Sequence, residues 1–571
     1  DDTQKPPVKK DQTAPPKDRT TTKPPVTPGG RPMTGAFPRR ALVVSIHNYL
    51  YMNPTHFGTF ENTGSRNIRT LLGRLNRRES FRIAPDQINH LSDVANDPRP
   101  PIKSVVTKTI HDYLASCRKQ DRIILMFAGR CAEVDEKPYL VPIEGDTEDA
   151  STLIPLEWVY TGLAEGKASQ NVLILDVCRF NPDRGQERPG GDPMTEEFDK
   201  ALQNPPKGVQ VWSSCVAGQQ SYEFDYEPVN NSVFIDALFR VTNRGVQGKI
   251  QRHDDLIPIK EMVAMVNKEM RSELAPMKLT QVSRLSGEAP MDLASFDPKE
   301  PRPATPKLAD PPMAGDLAEA RVVKGVLSEV SVPPIKPTET EGLLKYESLP
   351  PIPAKLMEQY PIDNTPSKLR DAVKHAQALL WAISSVPPPK ELAAQVEEIR
   401  EQEGIKYTLS ALRNGYRAPA AAAVERFKGR VLEDEGKLTR IIRLLKEEIN
   451  DYLLAPEIVE EREDEKLSKR WQANYDFILA RVRAQYAFVF EYQSMLGSMR
   501  KELPERDPNV HNGWRLASLT RIKGDREGKK AHRAAKKLLE SLIDDHKGTP
   551  WGILSKREKL TSLGLKWVAT K

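Results

Sequence analysis

The feature that most constrains the fold is a set of continuous apolar runs of strand type, separated by segments with helical periodicity. The runs are "ALVVSI", "RIILMFAG", "NVLILDVC" and "GVQVWSSC". A strand that is apolar without alternation is typical of a parallel sheet covered on both faces. Between the runs, "RNIRTLLGRLNRR", "IKSVVTKTIHDYLASC" and "LEWVYTGLAEG" have the spacing of amphipathic helices. The alternation predicts an α/β fold with a mostly parallel sheet and helices on both faces.

Clusters of proline divide the chain, whose 571 residues are too many for one compact core. Residues 1–38 are proline-rich and nearly without large apolar side chains, so a disordered segment is expected there. The α/β domain is predicted over 39–285, a proline-rich linker over 286–366 and an all-α helical domain over 367–571. In the last segment, "RWQANYDFILARVRAQYAFVFEY" has an aromatic stripe at helical spacing, which indicates a bundle core rather than a cofactor site.

Charge and composition exclude several classes of function. The net charge of +6 is small for this length, and the basic stretch "RIKGDREGKKAHRAAKK" has interleaved acidic residues and no aromatics, so nucleic-acid binding is not expected. No apolar run reaches the roughly 18 to 20 residues that span a bilayer, so no transmembrane segment is expected. The cysteines show no CxxC spacing, which argues against a common zinc site and a dense disulfide framework. The sequence predicts neither a metal nor a cofactor.

The start of the chain bears on where the protein works. A polar, proline-rich stretch that begins at Asp1 would suit an exported protein from which a signal peptide has been removed. A periplasmic or extracellular location is therefore expected. The cytoplasm is the alternative, because a chain cut for expression would begin in the same way.

Candidate functional residues follow two of the predicted strands. In open parallel sheets, ligands bind beyond the carboxyl ends of the strands. Gly129, Arg130 and Cys131 come directly after one apolar run, and Cys178 ends another, at the same edge of the sheet. A cysteine held there is well placed to be a nucleophile. It still needs a base, usually a histidine, to form a thiolate or to hold it in an ion pair.

Several motifs resemble those of the caspase-like cysteine peptidases and occur in the same order. "ALVVSIHNY" resembles their first strand, "DRIILMFAGRC" followed by "YLVP" their histidine strand, "NVLILDVCRF" their cysteine strand and "VQVWSSCVAGQQSYE" the strand and loop after it. The interval from residue 130 to Cys178 is close to the roughly 50 residues between histidine and cysteine in caspases. The resemblance covers residues 39 to about 285. The linker and the helical tail, with "HKGTPWGILSKREKL", resemble proteins of planctomycete bacteria.

The resemblance implies a peptidase in which Cys178 is the nucleophile and residue 130 the base, but Arg130 stands where the family has histidine. A guanidinium, with a pKa above about 12, cannot act as a base near neutral pH. Nor can it return a proton to the leaving amine. Two interpretations stay open: a pseudo-peptidase that serves as a binding or scaffold module, and an active cysteine endopeptidase with a non-standard base. Under the first, cleavage after Arg or Lys is absent or very slow, and Arg130→His is expected to raise it.

Two acidic residues are candidates for binding a substrate side chain. In metacaspases, which cleave after Arg or Lys, an acidic residue at the position of Asp176 helps to bind the basic side chain, so the resemblance implies the same preference here. Glu223, in "QSYEF", is the second candidate. The alternative is that Asp176 caps a neighbouring loop or pairs with Arg130 or Arg179. A peptide or protein ligand is expected at the cleft, and a protein partner for the helical domain.

The family pattern does not explain Cys131. Neighbouring strands lie about 4.8 Å apart and a disulfide needs a Cα separation of roughly 4.4 to 6.8 Å, so the thiols of Cys131 and Cys178 are expected within bonding reach. Arg130 is expected to favour the thiolate of Cys178. The alternative is that Cys131 is a small buried residue that fills the space of a glycine turn.

The histidines offer no obvious replacement base. His47 ends the first strand, two strands and roughly 10 Å from Cys178, and a structural or solvent-facing role is the favoured interpretation. His56, His90 and His111 have no sequence reason to converge on the cleft.

Overall fold

The computed structural model describes most of the chain after the proline-rich start. The described residues are 39–55, 83–94, 98–182, 188–189, 191–224, 232–244, 259–288, 300–311, 317–336, 348–409, 413–464 and 466–570. The segment 1–38, which is expected to be disordered, and the helix that "RNIRTLLGRLNRR" predicts over 66–78 lie outside these residues.

Fourteen strands occur within the described ranges, six of them in one central sheet. The strands are β1 Arg39–Ser45, β2 Ile88–Ser92, β3 Arg122–Ala128, β4 Arg130–Val134, β5 Lys137–Val141, β6 Ile154–Pro155, β7 Gln170–Asp176, β8 Arg179–Phe180, β9 Val209–Ser213, β10 Ser221–Tyr222, β11 Arg284–Ser286, β12 Gly415–Arg417, β13 Gly513–Leu519 and β14 Gly564–Thr570.

The central sheet has the order β11-β9-β7-β3-β1-β2 and is parallel except for the short β11, which runs antiparallel to β9. The four apolar runs form β1, β3, β7 and β9, so the prediction of a mostly parallel sheet is confirmed. In register, Ala128 on β3 is opposite Asp176 on β7, and Leu175 on β7 is opposite Ser213 on β9. The carboxyl ends of these three strands therefore meet at one edge of the sheet.

Helices cover both faces of the sheet, as the continuous apolar runs predict. Successive residues of a strand point to opposite faces, so Leu173 and Leu175 pack on one side and Val172 and Ile174 on the other. The first side is covered by α1 Lys103–Ala115, α2 Leu156–Glu165 and α3 Glu196–Gln203, and the second by α4 Val233–Arg244 and α5 Ile259–Leu274.

Where composition predicts a linker over 286–366, several parts of the interval are packed against other elements, among them residues 349–360, whose Leu349, Ile352, Met357 and Tyr360 lie in the core of the C-terminal region. Residues 300–311 follow the edge of the α/β region: the amides of Gln87 and Asn89 donate to the carbonyls of Pro303 (3.2 Å) and Pro306 (3.0 Å), and Ala309 is buried. Prolines offer carbonyl acceptors without N–H donors, so such a segment covers an edge strand without presenting a new edge.

Another packed part is α6 Leu317–Glu329, a helix whose Val323 and Val326 lie in the core of the C-terminal region. That region continues with α7 Ala354–Met357, α8 Lys368–Ile383, α9 Ala393–Gln402, α10 Val424–Glu447, a π-helical turn Glu448–Leu453, α11 Pro456–Glu463, α12 Lys469–Lys501, α13 Arg526–Asp545 and α14 Pro550–Leu560.

The C-terminal region is mainly helical, and α12 is its central element. The predicted aromatic stripe on α12 is buried, which confirms it as bundle core: Trp471, Tyr475, Ile478, Val482, Tyr486 and Val489. The region also contains an antiparallel sheet, β12-β13-β14, which the expectation of an all-α domain does not include. β12 has only three residues, and the seven-residue β13 and β14 lack a clean alternation of apolar and polar residues, so a period-two pattern does not reveal them. Among the described helices, none combines the length and apolar character needed to cross a membrane.

The segment 50–55, which follows β1, lies between the two regions. Leu50 and Tyr51 belong to the core of the helical region. Lys556 on α14 forms ion pairs with Asp146 and with Glu148 (2.6 Å), and its ammonium lies 5.6 Å from the centre of the Tyr51 ring. This contact matters because the same segment holds the candidate functional site together.

A buried carboxyl at the start of α1 makes stability depend on pH. The helix has Ile102 at its N-cap, and the missing cap is replaced by Glu144, whose Oε1 accepts from the backbone N of Lys103 (2.8 Å). Burial raises the pKa of Glu144 to about 7, although the hydrogen bond from Lys103 opposes the rise.

We expect this carboxyl to stabilise the fold at low pH and to lose that contribution as pH rises through about 7, because its pKa is higher in the folded chain than in the unfolded chain. Relative to the native chain, Glu144→Gln should gain on the order of 2 kcal/mol of unfolding free energy between pH 5 and pH 8.5. Denaturant unfolding at both pH values measures it, with Glu157→Gln on the exposed side of α2 as control. Equal shifts in both variants would contradict the assignment.

Candidate functional site

The site is built where β3, β7 and β9 end. Parallel pairing continues past the strands, since the N–H of Gly129 donates to the carbonyl of Asp176 (3.0 Å) and that of Ser214 to the carbonyl of Leu175 (2.8 Å). The chain therefore brings residues 130, 178 and 215 to one edge.

Gly129 allows the segment after β1 to pack directly on the end of β3. A Cβ at this position would overlap the Tyr49 hydroxyl and press on the Phe127 ring, which only glycine avoids. The Tyr49 hydroxyl in turn accepts from the backbone N of Arg130 (2.8 Å). Gly129 thus has a packing role at the site rather than a chemical one.

Arg130 is buried, and backbone carbonyls surround its guanidinium. Its Nε donates to the carbonyl of Asn53 (2.7 Å), its Nη1 to that of Arg179 (2.8 Å), and its Nη2 approaches that of Pro54 (3.5 Å). The side chain ties the segment 50–55 to the chain that follows Cys178. Arg130 is therefore a fixed structural cation.

The two acidic candidates are paired with a residue of the chain itself. Arg179 donates from Nη1 to Asp176 Oδ2 (3.0 Å) and from Nε to Glu223 Oε1 (2.7 Å), and all three side chains are at most 2% exposed. The second oxygen of Asp176 accepts from the Ser221 hydroxyl (2.6 Å). Of the alternatives that the sequence leaves open for Asp176, the pairing with Arg179 is the one found, and Glu223 shares it.

Cys178 has an unusual backbone and unusual neighbours. Its φ is +55°, in the left-handed region that non-glycine residues rarely adopt, so the chain is strained where it leaves β7. Its Sγ lies 3.2 Å from that of Cys131, which confirms that these two thiols come together. The thiol of Cys215 is near enough to Cys178 to raise its pKa as well.

The expectation that Arg130 favours a thiolate at Cys178 is wrong. Hydrogen bonds with the thiols of Cys131 and Cys215, together with burial, raise the pKa of Cys178 well above its ordinary value. The charge of Arg130 is directed at the carbonyls of residues 53 and 179 instead. Cys178 is therefore a protonated thiol near neutral pH.

The histidines serve other parts of the molecule. His47 is buried with its Nδ1 3.5 Å from Asp93 Oδ1, His90 Nε2 lies 2.8 Å from the Ser45 hydroxyl, and His111 is exposed beside Asp112. His56 lies outside the described residues. In the part of the chain that the structure covers, the hydrogen-bond partner of the Cys178 thiol is Cys131 and not a histidine.

The pair His47–Asp93 forms a fixed corner at the end of β1. Burial raises the pKa of Asp93, but the contact with His47 and hydrogen bonds from the backbone N–H groups of His47 and Asn48 outweigh it and hold the pKa below its ordinary value. Asp93 is thus a charged anchor for residues 47 and 48, which supports the structural interpretation of His47.

Within the described residues, no group of three His, Cys, Asp or Glu side chains is arranged to hold a metal ion. The side chains that meet at the site carry thiols, two carboxylates and two guanidinium groups.

Two participants were not expected from the sequence. Arg179 appeared only as one possible partner of Asp176, and its contact with Glu223 depends on the short pairing of β8 with β10. Cys215 was not assigned to the site. The signal for it was available, because "GVQVWSSC" ends in cysteine just as "NVLILDVC" does, and neighbouring parallel strands end together.

No protein-family model matches the chain, and no curated protein matches it. Among solved structures, the chain is similar to the initiator caspase Dronc of Drosophila. The identity is 11%, over 45% of this chain and 82% of that chain, with a TM-score of 0.28. At this level the likeness carries no argument about activity, and the α/β class rests on the sheet itself.

Proposed function

We propose that residues 39–285 form a caspase-like α/β module that has no peptidase activity and acts by binding a peptide or protein. The observation that carries this proposal is the position of Arg179. Its guanidinium pairs with both Asp176 and Glu223, the acids that would otherwise receive a basic substrate side chain. With all three side chains buried, neither of these two acids is left to bind a basic substrate side chain.

The state of the thiol supports the same proposal. Peptide cleavage by cysteine needs a thiolate and a group that returns a proton to the leaving amine. The raised pKa of Cys178 keeps it protonated, and Arg130 cannot exchange a proton near neutral pH. Each missing function removes orders of magnitude in rate.

The helical region supports the scaffold part of the proposal. It contacts the segment 50–55, whose carbonyls hold Arg130 and Arg179, directly where Lys556 lies over the Tyr51 ring. Arg188 provides an indirect link, because its backbone N donates to Asn53 Oδ1 (2.8 Å) and its Nε to Thr561 Oγ1 (3.3 Å). A protein bound to the helical region would thus act on the same segment that supports the α/β site.

The test is cleavage of fluorogenic peptides that end in Arg, Lys or Asp, together with labelling by electrophilic peptide probes of the same three types. We expect no hydrolysis above that of Cys178→Ala and no probe on Cys178 at neutral pH. Rapid cleavage by the native chain that Cys178→Ala abolishes would make the proposal wrong.

One observation favours an active cysteine endopeptidase as the second candidate. The strained φ of Cys178 presents a side chain at the end of a central strand, and such strain is concentrated at functional sites. Under this alternative, Arg or Lys peptides are cleaved, the activity is lost in Cys178→Ala, and it is kept in Cys215→Ser.

A further inference from the structure

Three cysteines lie side by side at the ends of three adjacent strands. Cys178 follows β7 and Cys215 follows β9, while Cys131 is the second residue of β4, directly after β3. Because β3 and β9 are the two neighbours of β7, Cys178 has a cysteine on each side. The Sγ atoms of Cys131 and Cys178 are 3.2 Å apart. Cys215 follows β9, the parallel neighbour of β7, and is near enough to raise the pKa of Cys178. Three thiols in a row exceed what packing of small residues requires.

The three thiols differ in access to solvent. Cys131 is partly exposed, Cys178 is 8% exposed and Cys215 is fully buried. A reagent from solution therefore meets Cys131 first, while the other two are reached only through a neighbouring sulfur.

We propose that Cys131, Cys178 and Cys215 form a thiol–disulfide exchange site whose substrates are low-molecular-weight disulfides such as oxidised glutathione. Cys131 gives up its proton and attacks one sulfur of the small disulfide, which breaks the S–S bond. The products are a mixed disulfide on Cys131 and one small thiol. Cys178 then attacks the Cys131 sulfur, the bond between Cys131 and the small thiol breaks, and the proton of Cys178 passes to the departing thiolate, which leaves as the second small thiol. In sum, two protein thiols are oxidised and one small disulfide is reduced to two thiols.

Cys215 extends the reaction inward. Its thiolate attacks the Cys178 sulfur of the new bond, which forms a Cys178–Cys215 disulfide and returns Cys131 as a free thiol. No further oxidant is consumed, since one S–S bond is exchanged for another. The buried position of Cys215 protects this second disulfide from reductants in solution.

The raised pKa of Cys178 fits the central position. A protonated, buried thiol reacts poorly with reagents from solution, so Cys178 does not start the reaction. It attacks only the Cys131 sulfur, which lies 3.2 Å away, and its deprotonation is the slow step. The exposed cysteine thus starts the reaction and the buried ones complete it.

In the experiment, the reduced full-length chain is mixed with excess oxidised glutathione. The release of reduced glutathione is measured over time, and mass spectrometry of non-reduced peptides identifies the disulfides. We expect two equivalents of glutathione and a disulfide within the three cysteines, with Cys178–Cys215 increasing over time. Cys178→Ser should release one equivalent and stop at glutathione on Cys131. Cys131→Ser should slow oxidation at least tenfold, and Cys215→Ser should leave the bond at Cys131–Cys178.

Cys117→Ser is the matched control. Cys117 is also buried, but its thiol contacts the Tyr113 carbonyl and Arg40, away from the site, so this variant should react like the native chain. Four free thiols after oxidation, two equivalents of glutathione from Cys178→Ser, or native rates in Cys131→Ser would each overturn the proposal. Because glutathione release does not depend on peptide cleavage, failure here is distinguishable from failure of the proposed function.

Discussion

Replacing Arg179 with alanine is expected to lower the free energy of unfolding by about 3 to 5 kcal/mol, because it leaves two buried carboxylates without their cation. Asp176 and Glu223 are 0% and 2% exposed, and neither can reach water to recover the lost interaction. Denaturant unfolding followed by circular dichroism measures the change.

The control for this prediction removes the charges together. The triple variant Arg179→Met, Asp176→Asn, Glu223→Gln keeps similar volumes but buries no unpaired charge, so it should lie much closer to the native chain than Arg179→Ala does. If the triple variant is destabilised more than the single one, the cost comes from shape and not from charge, and the pairing argument is wrong.

The central sheet is well predicted from the sequence because the apolar run that marks each strand is a local pattern. Each apolar run carries its own evidence for a buried strand, and the alternation with helices leaves few topologies for a parallel sheet. The same logic predicts which residues share the carboxyl edge, and it brings Cys131 to Cys178 correctly.

The partners of each charged side chain were harder to predict, because they depend on loops that come together from distant parts of the chain. Arg130 is held by the carbonyl of Asn53, 77 residues earlier, and Glu223 meets Arg179 across 44 residues. No periodicity marks such contacts. The position of Arg130 at the same sheet edge as Cys178 predicts activation of that thiol, whereas in the structure the guanidinium donates to backbone carbonyls.

The packed parts of the interval 286–366 are not predictable from the sequence for a different reason. High proline content masks the short helical pattern of α6, whose apolar residues gain stability only from the bundle on which they pack. The stability that α6 gains from its contacts with the helical region can be tested through one ion pair.

Glu329, the last residue of α6, accepts two hydrogen bonds from Arg470 on α12, from Nε and Nη2 at 2.9 Å each, and a third from Asn474 Nδ2 at 2.8 Å. The Arg470 side chain is 1% exposed and that of Glu329 23%. Glu329→Ala leaves a buried guanidinium with two donors unpaired. We expect the free energy of unfolding to fall by about 3 kcal/mol. This is the lower end of the range for breaking a buried ion pair, because the carboxylate is partly hydrated.

The same variant should open α6 to proteases. Trypsin is expected to cut Glu329→Ala at Arg321 or Lys324 under conditions in which the native chain is resistant there, because the helix loses the contact that anchors its end to α12. Glu401→Ala, on the exposed face of α9, is the matched control and should change neither stability nor cleavage. If Glu329→Ala keeps the native stability and α6 stays uncut, apolar packing of Val323 and Val326 alone holds this helix. The ion pair with Arg470 would then add nothing to the attachment of α6 to the helical region.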